Sequence, residues 1–249
     1  MGGSGKTTMA QYIYNSHKQN FESNSFLEEI GKYYKQPCGP IGLQKQLLRD
    51  VLGERKIMIS VASEGTRKIE NALQMKRALI VLDDIDDPDE LNTLLGTNLF
   101  PTECKIIITT RLLDIQAWFR SISLRCWVHK LKLLNDSESL ELLSWHAFGS
   151  KTPMEGFKEL AIQLSKYCGG NPLALKVLGS SLYVSDEDPW RRNNMTEIWT
   201  SMTNALISLK GDLHSKIQGV LQKSFDSLPL ASHKELFLHI ACFFVGEDE

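Results

Sequence analysis

The sequence has no cysteine pair at C-x-x-C spacing: its five cysteines, Cys38, Cys104, Cys126, Cys168 and Cys242, are odd in number and scattered over 249 residues. That argues against a disulfide scaffold or a zinc site and fits a reducing compartment. No two of the six histidines stand three or four residues apart, so no helix offers a paired imidazole face to a metal. A basic excess is missing as well. The 28 Lys and Arg are set against 30 Asp and Glu, which is not the balance of a surface that neutralises a nucleic-acid backbone. No apolar run approaches the roughly 18 residues of a membrane span, and glycines stand where a signal peptide is apolar. Met1-Gly2 does not open a myristoylation signal, because Lys6 stands where that signal needs Ser or Thr. The expected protein is soluble and cytoplasmic, with neither nucleic acid nor membrane as partner.

What is present is an ordinary globular composition, 42% hydrophobic and 23% charged, enough for one large or two to three small cores. From Thr7 to Lys18, the residues Ala10, Ile13, Tyr14 and His17 recur at helical spacing and predict one buried face. A strand-like run spans Ser25 to Ile30. Leu43, Leu47, Val51 and Leu52 mark a second helix, and Glu64 to Met75 a third with Ile69 and Leu73 inward. The run "RALIVLDD" is continuous and apolar, too short for a helix, as expected of a strand buried on both faces. Pro88 opens the short helix "PDELNTLL" at a position that tolerates proline. "KIIITTR", Lys105 to Arg111, reads as a second fully buried strand. Helices alternating with such strands predict a parallel sheet covered on both sides.

After about Trp127 apolar residues recur only at helical spacing, so a helical unit follows. Asn135 with Glu138 has the form of a capping box, Gly169 and Gly170 stop one helix, and Asn171-Pro172 start the next. "SDEDPWRRNN" reads as a polar loop, and a further helix begins near Met195. "KIQGVLQKSFDSLP" and "KELFLHIACFFV" open a third helical unit.

The chemistry is concentrated in "MGGSGKTTMA". A glycine-rich turn leading into Lys and Thr at a helix start lets backbone N–H groups and the positive helix end surround phosphate oxygens. Gly3 and Gly5 free the backbone around Ser4, Lys6 places a charge on the β and γ phosphates, the Thr7 hydroxyl ligates Mg²⁺, and Thr8 extends the cradle. A G-K-T triplet alone also fits a flexible tail. The second element is the strand tip carrying Asp83 and Asp84. There Asp83 is suited to hold the Mg²⁺ that Thr7 touches, and Asp84 to polarise an attacking water. The other reading of "DDIDDPDE" is a solvated turn. Arg111 ends the later strand, placed either to sense a γ-phosphate or to pair with the acidic cluster Asp83 to Asp87.

Taken in order, "GGSGKTT", "LIVLDDID", "KIIITTR", "LKLLNDSESLELLSWHAF", "GGNPLALKVLGSSL" and "FLHIACFF" resemble the motifs of the NB-ARC module of plant intracellular immune receptors. That module is a P-loop ATPase of the STAND class, similar to the core of the apoptotic protease activating factor. The resemblance implies an α/β fold: a P-loop NTPase parallel sheet over 1–127, a helical subdomain (ARC1-like) over 128–212, and the start of a winged-helix-like subdomain (ARC2-like) over 213–249. Asp86, where one receptor class has Trp, implies the class carrying a Toll/interleukin-receptor (TIR) domain. The resemblance also implies that Pro172 lies against adenine, that the helical unit clamps nucleotide onto the sheet domain, and that ADP and ATP are the ligands. Its own TIR and leucine-rich-repeat regions, and self-association on activation, are the implied partners.

Three functions remain open on these residues. One is an ADP/ATP switch with at most slow hydrolysis; the others are a turnover ATPase motor and a scaffold without nucleotide binding. The first glycine of G-x-x-x-x-G-K-[ST] falls immediately before Met1, and the family's preceding strand, its Met-His-Asp motif and its leucine-rich repeats are likewise outside the sequence. The expectation is a fragment of a larger receptor. A central strand of five or six buried side chains contributes on the order of 1.5 to 3 kcal/mol per residue, a sum that rivals the roughly 5 to 15 kcal/mol of a whole domain. The isolated chain is therefore expected to be marginal or unfolded without nucleotide, and a cooperative, high-temperature calorimetric melt contradicts this.

Overall fold

Ala78–Ile85 forms the middle strand of a three-stranded parallel sheet in a computed structural model of the chain, buried at every position except Asp84. The described residues are 2–74, 76–96, 103–112, 115, 117, 119, 126–184, 193–208 and 213–226. The sheet order is β1 (Ser23–Leu27), β2 (Ala78–Ile85), β3 (Lys105–Thr110). Ser23 pairs with Ala78 and Leu27 with Leu82 on one side, and Leu79 with Lys105 on the other. Parallel neighbours need crossovers, and helices supply them. The helices of this unit include α1 (Lys6–His17), α2 (Ile30–Tyr34), α3 (Gly39–Leu52), α4 (Ala62–Gln74) and α5 (Pro88–Leu95).

Contacts divide the chain into two units, one taking Met1–Gly2 and Lys6–Lys130, the other Gly3–Gly5 and the chain from Leu131 on. The core of the first unit joins Leu27, Ile80, Leu82 and Ile85 of the sheet to Leu43, Leu47, Leu48 and Val51 of α3, Ile69 and Leu73 of α4, and Leu91 and Leu94 of α5. A polar pin runs through it. Buried Gln44 of α3 donates from Nε2 to the carbonyls of Ala62 and Thr93, each at 2.9 Å, and so ties α3 to the start of α4 and to α5.

Several sequence expectations are corrected here. The first strand covers Ser23–Leu27, not Ser25 to Ile30; Ile30 is buried, but as the first residue of α2, after Glu29 takes a left-handed turn at φ 50°. Two serines hid that strand's start, since Ser23 and Ser25 are polar yet buried, Ser25 being satisfied by donating to Asp50 Oδ2 at 2.6 Å. β3 is half-buried and not enclosed, because it is an edge of the described sheet. In α1 Ala10 is buried and Ile13 and Tyr14 are half-buried, but His17 is exposed where the helix ends and the chain turns through Lys18–Asn20. In α3 Leu48 is inside, and Leu52 is exposed because Gly53 ends the helix in a left-handed turn.

The second unit is helical: α6 (Asp136–Phe148), α7 (Lys158–Tyr167), α8 (Pro172–Leu182), α9 (Met195–Ile207) and α10 (Leu213–Asp226). The capping box is complete, with Glu138 N–H donating to Asn135 Oδ1 and Asn135 N–H to Glu138 Oε2, both at 2.9 Å. Asn171 caps α8, accepting the Ala174 N–H at 3.1 Å. The core centres on Trp199 of α9, fully buried, stacked on Phe148 at 4.9 Å and edge-on to Phe157 at 5.5 Å. Val220 of α10 belongs to the same cluster. The motif "FLHIACFF" and most of the polar loop "SDEDPWRRNN" lie outside the described residues. The four described cysteines are free, and burial pushes the thiols of Cys104 and Cys168 up to about 11 and about 12, which keeps both protonated at neutral pH.

Buried Glu90 fixes the turn from β2 into α5: its Oε2 accepts the Asp86 N–H at 2.9 Å. Burial raises its carboxyl above the ordinary 4.5, and the Asp86 and Asp87 carboxylates add to the rise while their amides oppose it. A carboxyl with a raised folded pKa stabilises the fold while protonated, and that contribution is lost as pH climbs from its unfolded value through the raised one. Glu90→Gln keeps the acceptor oxygen and cannot ionise. Chemical denaturation at pH 4 and pH 7 should show the variant gaining stability relative to the parent as pH rises.

Candidate functional site

The strand tip of β2 carries an irregularity that sets the site. Leu82 pairs with Ile108, yet Ile85 pairs with Thr110, so β2 has one residue more than β3 between these pairs. This is a β-bulge, and Asp84 takes it up at φ 57°, a left-handed conformation uncommon for a side-chain-bearing residue. Asp83 stays inside, 2% exposed, while Asp84 turns half out.

A buried carboxylate needs donors, and two threonines supply them. Thr7, in the first turn of α1, donates from Oγ1 to Asp83, 2.9 Å from Oδ1 and 3.1 Å from Oδ2. Thr109 of β3 donates to Asp83 Oδ1 at 2.6 Å. Thus residues 76 and 26 positions from Asp83 in sequence meet on one carboxylate. Lys6 begins the same helix and is half-buried, and Thr8 is exposed on it.

Arg111 follows β3 directly. Its guanidinium donates to Asp84 Oδ2 at 3.1 Å and stands 4.0 Å from Asp86 Oδ1. Asp86 also lies 3.9 Å from Lys35, and it rests against the backbone of α2, where a Cβ on Gly31 would meet Asp86 Oδ2 at 2.6 Å. In this conformation Arg111 is paired with the acidic cluster. Such half-exposed pairs contribute about 0 to 1 kcal/mol each, small enough for a ligand to replace.

The remaining residues of the predicted loop belong by their contacts to the second unit. Gly3 and Gly5 take φ values of 70° and 88°, with half-buried Ser4 between them. The Gly3 carbonyl accepts the Leu173 N–H at 3.2 Å, satisfying a first-turn donor of α8, and a Cβ on Gly3 would stand 2.7 Å from that of Leu173. Pro172 is the first residue of α8, half-buried.

A family model described as NB-ARC domain matches residues 1–152. The chain belongs to the NB-ARC family. Its similarity to plant disease-resistance proteins extends along the whole sequence: it is 37% identical over 254 residues to Disease resistance protein RUN1 of Vitis rotundifolia, covering 100% of this chain and 17% of that protein. It is 35% identical over 252 residues to Disease resistance-like protein DSC1 of Arabidopsis thaliana, covering 100% and 19%. With TMV resistance protein N of Nicotiana glutinosa it shares 33% identity over 257 residues, covering 100% and 20%. The NB-ARC chain thus spans about a fifth of the length of these relatives.

Within this NB-ARC chain, sequence reasoning missed Thr109. The signal was the pair Thr109-Thr110 at the end of β3, but its meaning depends on a register that only the bulge sets. The Thr7 hydroxyl and Asp83 carboxylate are hard oxygen donors of the kind Mg²⁺ takes. Among the described residues no group of three or more His, Cys, Asp or Glu gathers to hold a metal.

The strain at Asp84 is measurable. Asn accepts the left-handed region and Val does not, so Asp84→Val should lower the unfolding free energy by about 1 to 2 kcal/mol more than Asp84→Asn in urea denaturation.

Proposed function

We propose that the chain is the nucleotide switch of a plant immune receptor: it binds ADP or ATP with Mg²⁺, and the nucleotide selects between a resting and an activated form. The observation that carries this reading is the Thr7–Asp83 contact, which brings the first turn of a helix that follows a glycine-rich turn onto the carboxylate of a buried strand tip. In this reading the Gly3-Ser4-Gly5 backbone, Lys6 and Thr8 receive phosphate oxygens, Thr7 and Asp83 hold the cation, and Pro172 touches adenine. Bound Mg²⁺ supplies charge neutralisation for the phosphates.

Asp84 is the residue suited to polarise water, and Arg111 to meet a γ-phosphate. Their mutual pairing at 3.1 Å gives Arg111 a weak partner that a ligand can replace, which is the exchange the switch reading uses. Hydrolysis, where it occurs, is slow. Only ATP offers Arg111 a γ-phosphate with which to replace Asp84, and such differential contact is what a switch requires.

Asp86 at the end of the strand motif supports assignment to receptors that carry a TIR domain. The remaining parts of such a receptor, its TIR and leucine-rich-repeat regions, are the proposed partners, with self-association on activation and defence signalling from the cytoplasm. Among the described residues no helix is long and apolar enough to cross a membrane.

Titration calorimetry tests the assignment. Lys6→Ala removes a charge-assisted contact of about 1.5 to 3 kcal/mol and should weaken both nucleotides about ten- to a hundredfold. Arg111→Ala should weaken ATP more than ADP. Lys6→Ala binding as the parent does supports a scaffold, and many turnovers per minute in steady state support a motor.

A further inference from the structure

Because of the bulge, Asp83 and Asp84 both stand opposite one residue of β3, Thr109. Its hydroxyl uses both of its capacities, donating to Asp83 Oδ1 at 2.6 Å and accepting the Asp84 N–H at 2.9 Å. The result is a single chain, Asp84 N–H to Thr109 O–H to Asp83 carboxylate, in which each bond polarises the next. Thr109 is 7% exposed, so the hydroxyl is not readily replaced by bulk water.

We propose that Thr109 is a positioning residue for the magnesium–nucleotide site. It fixes the rotation of the Asp83 carboxylate, leaving the second oxygen and the Thr7 hydroxyl disposed toward a cation, and it pins the left-handed backbone of Asp84. This rests on the nucleotide reading above. The neighbouring Thr110 separates the role from ordinary bracing. Its hydroxyl also grips β2, donating to the Ile85 carbonyl at 2.6 Å and accepting the Leu112 N–H at 3.0 Å, but those partners are backbone groups and not carboxylates. Bracing alone predicts that Thr109 and Thr110 matter alike; positioning predicts that only Thr109 affects the magnesium-dependent part of binding.

The test measures the affinity of the 249-residue chain for ATP in magnesium chloride and in EDTA, with folding followed by circular dichroism. Thr109→Val keeps the shape and removes the hydroxyl. It should lower affinity in magnesium about ten- to a hundredfold while leaving affinity in EDTA unchanged. Thr109→Ser should restore the magnesium increment to within about threefold of the parent, and Thr110→Val should keep it. The proposal is overturned if Thr109→Val retains the increment, if it loses affinity equally in both buffers, or if Thr110→Val loses the increment as severely. Should Thr109→Val not fold, Thr109→Ser decides: an increment kept supports positioning, and an increment lost overturns it. A folded parent that takes up no ATP in either buffer overturns the nucleotide reading itself, and this inference with it.

Discussion

A carboxylate held out of water must be given donors, and the first unit is arranged around that demand at Asp83. From Ala78 to Leu82 the strand that carries it is apolar and enclosed, so the donors have to come from elsewhere in the chain. Thr7 arrives from the start of α1 and Thr109 from β3, and both hydroxyls end on the same group. Neither is charged. Each hydroxyl–carboxylate bond is charge-assisted, and together they help the anion stay out of water.

The bulge distributes the next residues. By inserting one residue it keeps Asp83 inside, turns Asp84 outward at a left-handed φ, and returns Ile85 to the core. Two acidic side chains adjacent in sequence thereby acquire different surroundings, one buried among hydroxyls and the other half-exposed beside Arg111. Environment, and not residue type, separates an acceptor enclosed by hydroxyls from a group that faces an ionic partner. Asp86 extends the outer set, held near Arg111 and Lys35 and over the bare backbone of Gly31.

What the sequence made legible was whatever local rules decide. β2 was readable because a strand covered on both faces needs no alternation, α5 because Pro88 marks its start, and α6 and α8 because Asn135 and Asn171 are capping residues with the right neighbours. The Thr7 and Asp83 pairing was legible as a pattern of residue types. The start of β1 was not, because buried serines look like loop, and the exposure of β3 depends on sheet order, which no local window contains. Thr109 was hidden for the same reason: its two partners are set by the register between strands and by a backbone irregularity. An Asp-Asp pair at the end of an apolar run reads equally well as the beginning of a turn.

The second unit is organised around an aromatic cluster instead of a charge. Trp199 lies fully enclosed between Phe148 and Phe157, and its indole N–H has no hydrogen-bond partner among the described residues. Trp127, assigned to the first unit, is 97% exposed. An indole in apolar surroundings without a polar partner emits toward the blue and is shielded from dissolved quenchers, whereas one in water emits toward the red and is quenched freely. Trp199 therefore supplies the blue part of an emission that the chain's five tryptophans share, and that part reports whether the aromatic stack is intact.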